Sequence, residues 1–91
     1  MSGIDIKKQH TLDLEQAQQI ADNLAGDLAK KFAVVYHWDG DVLSFERAGV
    51  NGDITVNQDV VHVRAELGFL LSYLKPAIEH EINRYLDEHY T

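Results

Sequence analysis

The sequence predicts an α+β fold, a two-layer sandwich of order β-α-β-β-β-β-α. Three observations carry this. Apolar residues recur at helical spacing between Asp13 and Phe32; from Phe32 to Leu67 the period switches to two, broken by three turn dipeptides; after Leu67 helical spacing returns. Residues 1–91 are expected to form a single domain, because two cores in so short a chain would each be too small.

The elements follow in order. Ile4 and Ile6 alternate with Asp5 and Lys7, a short strand. In "TLDLEQAQQIADNLAGDLAKKF", Ala17, Ile20, Ala21, Leu24, Leu28 and Phe32 make one helical stripe. Asp13 is placed as N-cap with Gln16 in the reciprocal position, Leu12 and Ala17 as a staple, and Lys30 and Lys31 at the negative end. Gly26 inside this helix suggests close approach to the sheet.

"AVVYHW" then leads to Asp39-Gly40, "VLSFERAGV" to Asn51-Gly52, and "DITVN" to Gln58-Asp59 before "VVHVRAEL". Asp-Gly and Asn-Gly favour tight hairpin turns because they tolerate positive φ. Two-residue turns at these dipeptides set Tyr36 opposite Leu43 and Val34 opposite Phe45. They also set Arg47 opposite Val56, Gly49 opposite Ile54, Val56 opposite Val61 and Ile54 opposite Val63. Nearly every large apolar residue then shares one face, while Val35, His37, Ser44, Glu46, Thr55, His62, Arg64 and Glu66 share the other. The glycines of "FERAGVNGDITV" are thereby read as turn residues. A phosphate loop is disfavoured, since G-x-x-G is too short, no helix follows Gly52, and no Lys-Ser/Thr pair is present.

In "LGFLLSYLKPAIEHEINRYLDEHY" the stripe is Leu71, Leu74, Ile78, Ile82 and Tyr85, widened by Phe69, Leu70 and Tyr73. Pro76 should kink this helix or split it near Lys75. The strands form an antiparallel sheet of order 1-5-4-3-2, with both helices on the apolar face.

Composition narrows the function. Fifteen acids against eight bases give a net charge of −7, with no basic cluster, so nucleic acid and anionic membrane surfaces are disfavoured partners. The chain has no cysteine, which removes thiol nucleophiles and zinc–thiolate sites. The opening "MSGIDIKKQH" offers no apolar core for a signal peptide, and no apolar run is long enough for a membrane span, so a cytoplasmic location is expected. A core of this size is thin, which makes a homodimer one expectation.

"RAGVNGDITV" (Arg47 to Val56) and "LGFLLSYLKPAIEHEI" (Leu67 to Ile82) resemble the two signature regions of the small polyhydroxyalkanoic acid system proteins. That pattern is R-x-G-V-x-G-x-(hydrophobic)-x-V, then L-G-F-L-L ahead of an acidic amphipathic helix. "IDIKKQHTLDLEQA", with His10 before the first helix, resembles the family's opening. Pro76 departs from the pattern, in which small residues let the helix run on. The resemblance implies association with bacterial polyester storage and a reduced helix-grip (Bet v 1-like) architecture. It brings no catalytic residue and no cofactor.

Few residues invite chemistry. Arg47 falls on the apolar face; it is read as a structural ion-pair partner of a helix acid such as Glu79, as a strand-end residue whose head reaches water, or as an anchor for a ligand carboxylate. His10, His37, His62, His80 and His89 lack chelating spacing and are read as solvated, so no metal site is expected. Glu79, Glu81, Asp87 and Glu88 are read as a solvated helix face. Ser2, Ser44 and Ser72 sit in no nucleophile elbow. Phe69, Leu70, Leu71, Tyr73 and Leu74 cover more than one helix face, as core on both sides or as a partner or granule surface, which Tyr85 and Tyr90 could extend.

Two functional readings follow, neither of them an enzyme. The first is an accessory protein of the polyhydroxyalkanoate system acting through granule-surface or protein contacts. The second is a soluble binder of an acyl or hydroxyacyl molecule between sheet and helices.

Overall fold

The structure, a computed structural model, describes residues 2–90. Strand β1 (Ser2–Gln9) is followed by helix α1 (Leu14–Phe32), then β2 (Val35–Asp39), β3 (Val42–Arg47), β4 (Val50–Val56) and β5 (Val60–Leu67). A 3₁₀ helix (Phe69–Leu74) then leads into α2 (Lys75–His89). All strand pairs are antiparallel, in the order β1-β5-β4-β3-β2. The element order and sheet order are those the sequence predicts.

Helix α1 begins as its cap residues dictate. The Asp13 carboxylate accepts from the Gln16 N–H at 2.8 Å, and Ala33 ends the helix in the left-handed region at φ 62°. Ala17, Ala21, Leu24, Ala25 and Leu28 are fully buried on one face. Gly26 is not a tight contact: a Cβ there would meet only the Tyr36 hydroxyl, at an ordinary 3.5 Å. Pro76 resolves the C-terminal segment by splitting it. It lies in the first turn of α2, where its missing N–H costs no helical bond.

Two of the three expected turns are displaced. The first hairpin turns at Gly40-Asp41, with Gly40 at φ 64°, so Tyr36 faces Phe45 rather than Leu43. The second turns at Ala48-Gly49, with Gly49 at φ 86°, so Arg47 faces Val50 rather than Val56. The third is as predicted, with Ile54 opposite Val63 and Val56 opposite Val61. Both displacements move pairings by an even number of residues. Side chains alternate with period two, so the sorting into an apolar and a polar face survives unchanged.

The second displacement has a packing cause. A turn at Asn51-Gly52 would leave β4 only the residues after Gly52. The earlier turn lets β4 pair along its whole length with β5, from Val50↔Leu67 to Val56↔Val61, and buries Val50. Local turn propensity yields to the longer ladder. Gly52 then lies mid-strand, opposite Phe45, whose ring covers it. A Cβ at Gly52 would stand 2.6 Å from Phe45 Cε2 and 2.8 Å from the Arg64 carbonyl oxygen.

The core lies between the sheet and the two helices, built from Leu43, Phe45, Ile54, Val63 and Leu67 of the sheet, Leu24 and Leu28 of α1, and Ile78, Ile82 and Leu86 of α2. The opposite sheet face has no covering layer among the described residues.

Candidate functional site

The 3₁₀ helix is set at one end of the sheet by two glycines. The Gly68 N–H donates to the Gly49 carbonyl at 2.8 Å, and the Leu71 side chain covers Gly49 so closely that a Cβ there would be 2.8 Å from Leu71 Cδ1. A 3₁₀ helix has three residues per turn, so positions i and i+3 eclipse. Leu71 and Leu74 form the ridge packed against the core. Leu70 and Tyr73 form a second ridge, and Phe69 and Ser72 a third; both face away from it.

Phe69 and Leu70 are consequently each 82% exposed and Tyr73 72% exposed. Together they present roughly 450 Å² of aromatic and aliphatic surface, a size that on monomeric proteins is often functional. Val35 and Tyr36, the other exposed large apolar residues among those described, open β2 at the same end. Among the described residues, the end bearing the Gly40-Asp41 and Gln58-Asp59 turns exposes no large apolar side chain. The molecule is polarised, with one sticky end.

Arg47 lies at this end too. Its guanidinium is exposed, donating from Nη1 to the Phe32 carbonyl at 3.0 Å and from Nε to the Ala48 carbonyl at 3.3 Å. Arg47 therefore closes the C-terminus of α1, the negative end of that helix. Among the described residues it forms no ion pair, with Glu79 or any other acid.

The bare sheet face forms an open concavity of about 890 Å³, lined by Asp5, His37, Ser44, Asp53, Arg64 and Glu66 among others. Its lining is polar. His62 pairs with Asp5 at 2.6 Å and holds that carboxyl below its ordinary range. His37 and His62 are separated by two strands, and no described group of three acidic or imidazole side chains is arranged to hold a metal.

Two side chains read as solvated are buried instead. His10 accepts the Leu12 N–H at Nδ1 (3.2 Å) and donates from Nε2 to the Asn57 carbonyl (2.9 Å), which fixes the ring's orientation against Tyr90. Glu81 is 7% exposed at the α1–α2 contact, bonded to Lys31 at 2.9 Å and Arg84 at 2.7 Å. Glu81 belongs to the inward stripe by spacing, three residues after Ile78, which is the signal that could have found it.

Asp27 stands beside Glu81; its buried Oδ2 accepts no hydrogen bond and is paired with Lys31 Nζ at 3.8 Å. A shared hydrogen bond, burial and the like charge of Glu81 raise the Asp27 pKa. The bond from Asp27, with Lys31 and Arg84, lowers Glu81 to about 2. A raised carboxyl pKa means that stability falls as pH rises through it; the lowered Glu81 supplies stability above its unfolded value that is lost as pH falls toward about 2. An asparagine in place of Asp27 would be a permanent copy of the protonated acid. Asp27→Asn is expected to raise stability at neutral pH by about 1 kcal/mol, the worth of one net hydrogen bond, and the gain should shrink near about pH 4. Urea midpoints at both pH values measure it; an Asp27→Asn protein no more stable than wild type at neutral pH would show that the ionised pair is not strained.

The fold and this end define a small two-layer α+β domain with a bare polar sheet face and an exposed apolar helical turn. Residues 4–90 match the family described as "Putative polyhydroxyalkanoic acid system protein", and the chain belongs to that family. No curated protein and no solved structure matches it. No described helix is long and apolar enough to cross a membrane.

Proposed function

We propose that the protein is a non-catalytic, cytoplasmic accessory protein of the polyhydroxyalkanoate storage system, attaching to the polyester granule through Phe69, Leu70 and Tyr73. The observation that carries this is the exposure of those three side chains on one 3₁₀ helix, in a chain whose family ties it to that system. Their roughly 450 Å² is about half the surface a standard protein–protein interface takes from each partner. It suits attachment to a continuous apolar surface better. At about 25 cal/mol per Å² the gross gain is about 11 kcal/mol, against association costs of about 4–15 kcal/mol. Attachment is therefore reversible. The charge of −7 on the rest of the molecule keeps coated granules apart by repulsion.

The second reading, an acyl binder of helix-grip type, needs a cavity between helices and sheet. That space is filled by Leu24, Leu28, Ile54 and Val63, none more than 1% exposed, which favours the surface reading.

Washed polyester granules should sediment the wild-type protein, at high salt as well as low, because the contact is apolar. Replacing Phe69 and Leu70 together by Ser should lower recovery at least tenfold while leaving the circular dichroism unchanged. Wild type remaining in the supernatant would sink the granule reading.

A further inference from the structure

We infer that strand β2 is a docking edge for a second copy of this chain, paired antiparallel about a two-fold axis at His37. The two edges of the sheet differ. β1 carries Asp5, Lys7 and Lys8, is packed by α2, and is tied to that helix by the Lys8–Asp87 ion pair at 3.1 Å. Charges and a covering helix are how natural sheets block edge pairing. β2, running from Val35 to Asp39, has no lysine, proline or bulge, and all its residues but Trp38 are exposed.

The hydrogen-bond phase allows self-pairing in one register. In a two-residue hairpin the flanking pair, here Asp39 and Val42, exchanges hydrogen bonds, so Val35, His37 and Asp39 direct their main-chain groups toward β3. The N–H and C=O groups of Tyr36 and Trp38 then point outward. An antiparallel copy centred on His37 sets Tyr36 of each chain opposite Trp38 of the other, forming about four main-chain hydrogen bonds. Tyr36 and Trp38 lie on the helix side, giving two cross-strand aromatic pairs. Val35, 66% exposed, gains cover beside Asp39 of the other copy. The two His37 residues form the close non-hydrogen-bonded pair on the bare face, with Cα atoms about 4.5 Å apart.

Five residues make a short contact, so the dimer is weak and concentration-dependent. It leaves Phe69, Leu70 and Tyr73 free, and doubles the number of apolar ends on one particle.

The test uses the symmetry. His37 is exposed, and no side-chain bond of it is seen, so charged replacements leave the fold intact. Sedimentation of the full chain from micromolar to near-millimolar concentration should show a monomer–dimer equilibrium. His37→Glu should weaken it at least tenfold by setting two carboxylates face to face, and His37→Lys should weaken it also. Mixing the two variants should restore association, because unlike charges then meet across the axis. Amide exchange at Tyr36 and Trp38 should slow as concentration rises. A wild type that stays monomeric overturns the inference, as does a His37→Glu chain that dimerises normally. So does association that is lost instead when Phe69 and Leu70 become Ser, which would place the contact at the other surface.

Discussion

Gly52→Val is expected to destabilise the domain by about 3 kcal/mol, the upper part of the usual range for overpacking a core. The cause is not backbone strain, since Gly52 is absent from the positive-φ residues. It is the Phe45 ring, which lies across the glycine from the facing strand. Any side chain at 52 must displace a buried ring and also meet the Arg64 carbonyl, a main-chain atom held in the sheet. Coupling separates this from a turn effect. In a Phe45→Leu background the clash with the ring is gone, so Gly52→Ala should cost at least about 1 kcal/mol less than in the wild-type background. Denaturant midpoints of the four proteins measure it. Equal costs in both backgrounds would show that the ring is not what excludes a side chain.

The same glycine shows where sequence reasoning reaches and where it stops. Period, caps and turn spacing made the elements, the β2-to-β5 meander and the two faces legible, because each rests on residues close in sequence. The placement of the second turn was not legible. Asn51-Gly52 is the better local turn, and Ala48-Gly49 wins only because β4 then pairs fully with β5 and buries Val50. Facial sorting could not detect the difference, being blind to even shifts. Arg47 raises a similar point. Its acceptor is the carbonyl of Phe32, fifteen residues away, and no side-chain pattern announces a backbone partner. The over-wide apolar stretch at Phe69 to Leu74 was visible as such. Its division into Leu71 and Leu74 inward and Phe69, Leu70 and Tyr73 outward depends on a 3₁₀ geometry that the sequence did not announce.

Tyr90 is the other residue whose loss should be felt most. It follows the last turn of α2, yet it is 1% exposed, the largest fully buried side chain, with its hydroxyl donating to the Ala17 carbonyl of α1 at 2.5 Å and its ring against His10. It joins α2, α1 and the β1–α1 connection at a single point. Tyr90→Ala should cost about 4 kcal/mol, as for other buried aromatics, a large share of the roughly 5–15 kcal/mol that holds a domain together. Tyr90→Phe keeps the ring and loses the hydrogen bond, for about 1 kcal/mol. The two variants divide packing from polarity, and alkaline pH divides them again. Burial raises the Tyr90 hydroxyl pKa above its ordinary value of 10.0. Once pH passes the unfolded value the unfolded chain releases this proton and the folded chain resists, so wild-type stability falls as pH rises. Phenylalanine has no proton to lose. Tyr90→Phe should therefore be less stable than wild type at neutral pH and no less stable near about pH 11. Denaturant titrations at both pH values decide it: a deficit that stays constant would mean that the hydroxyl ionises as freely inside the fold as outside.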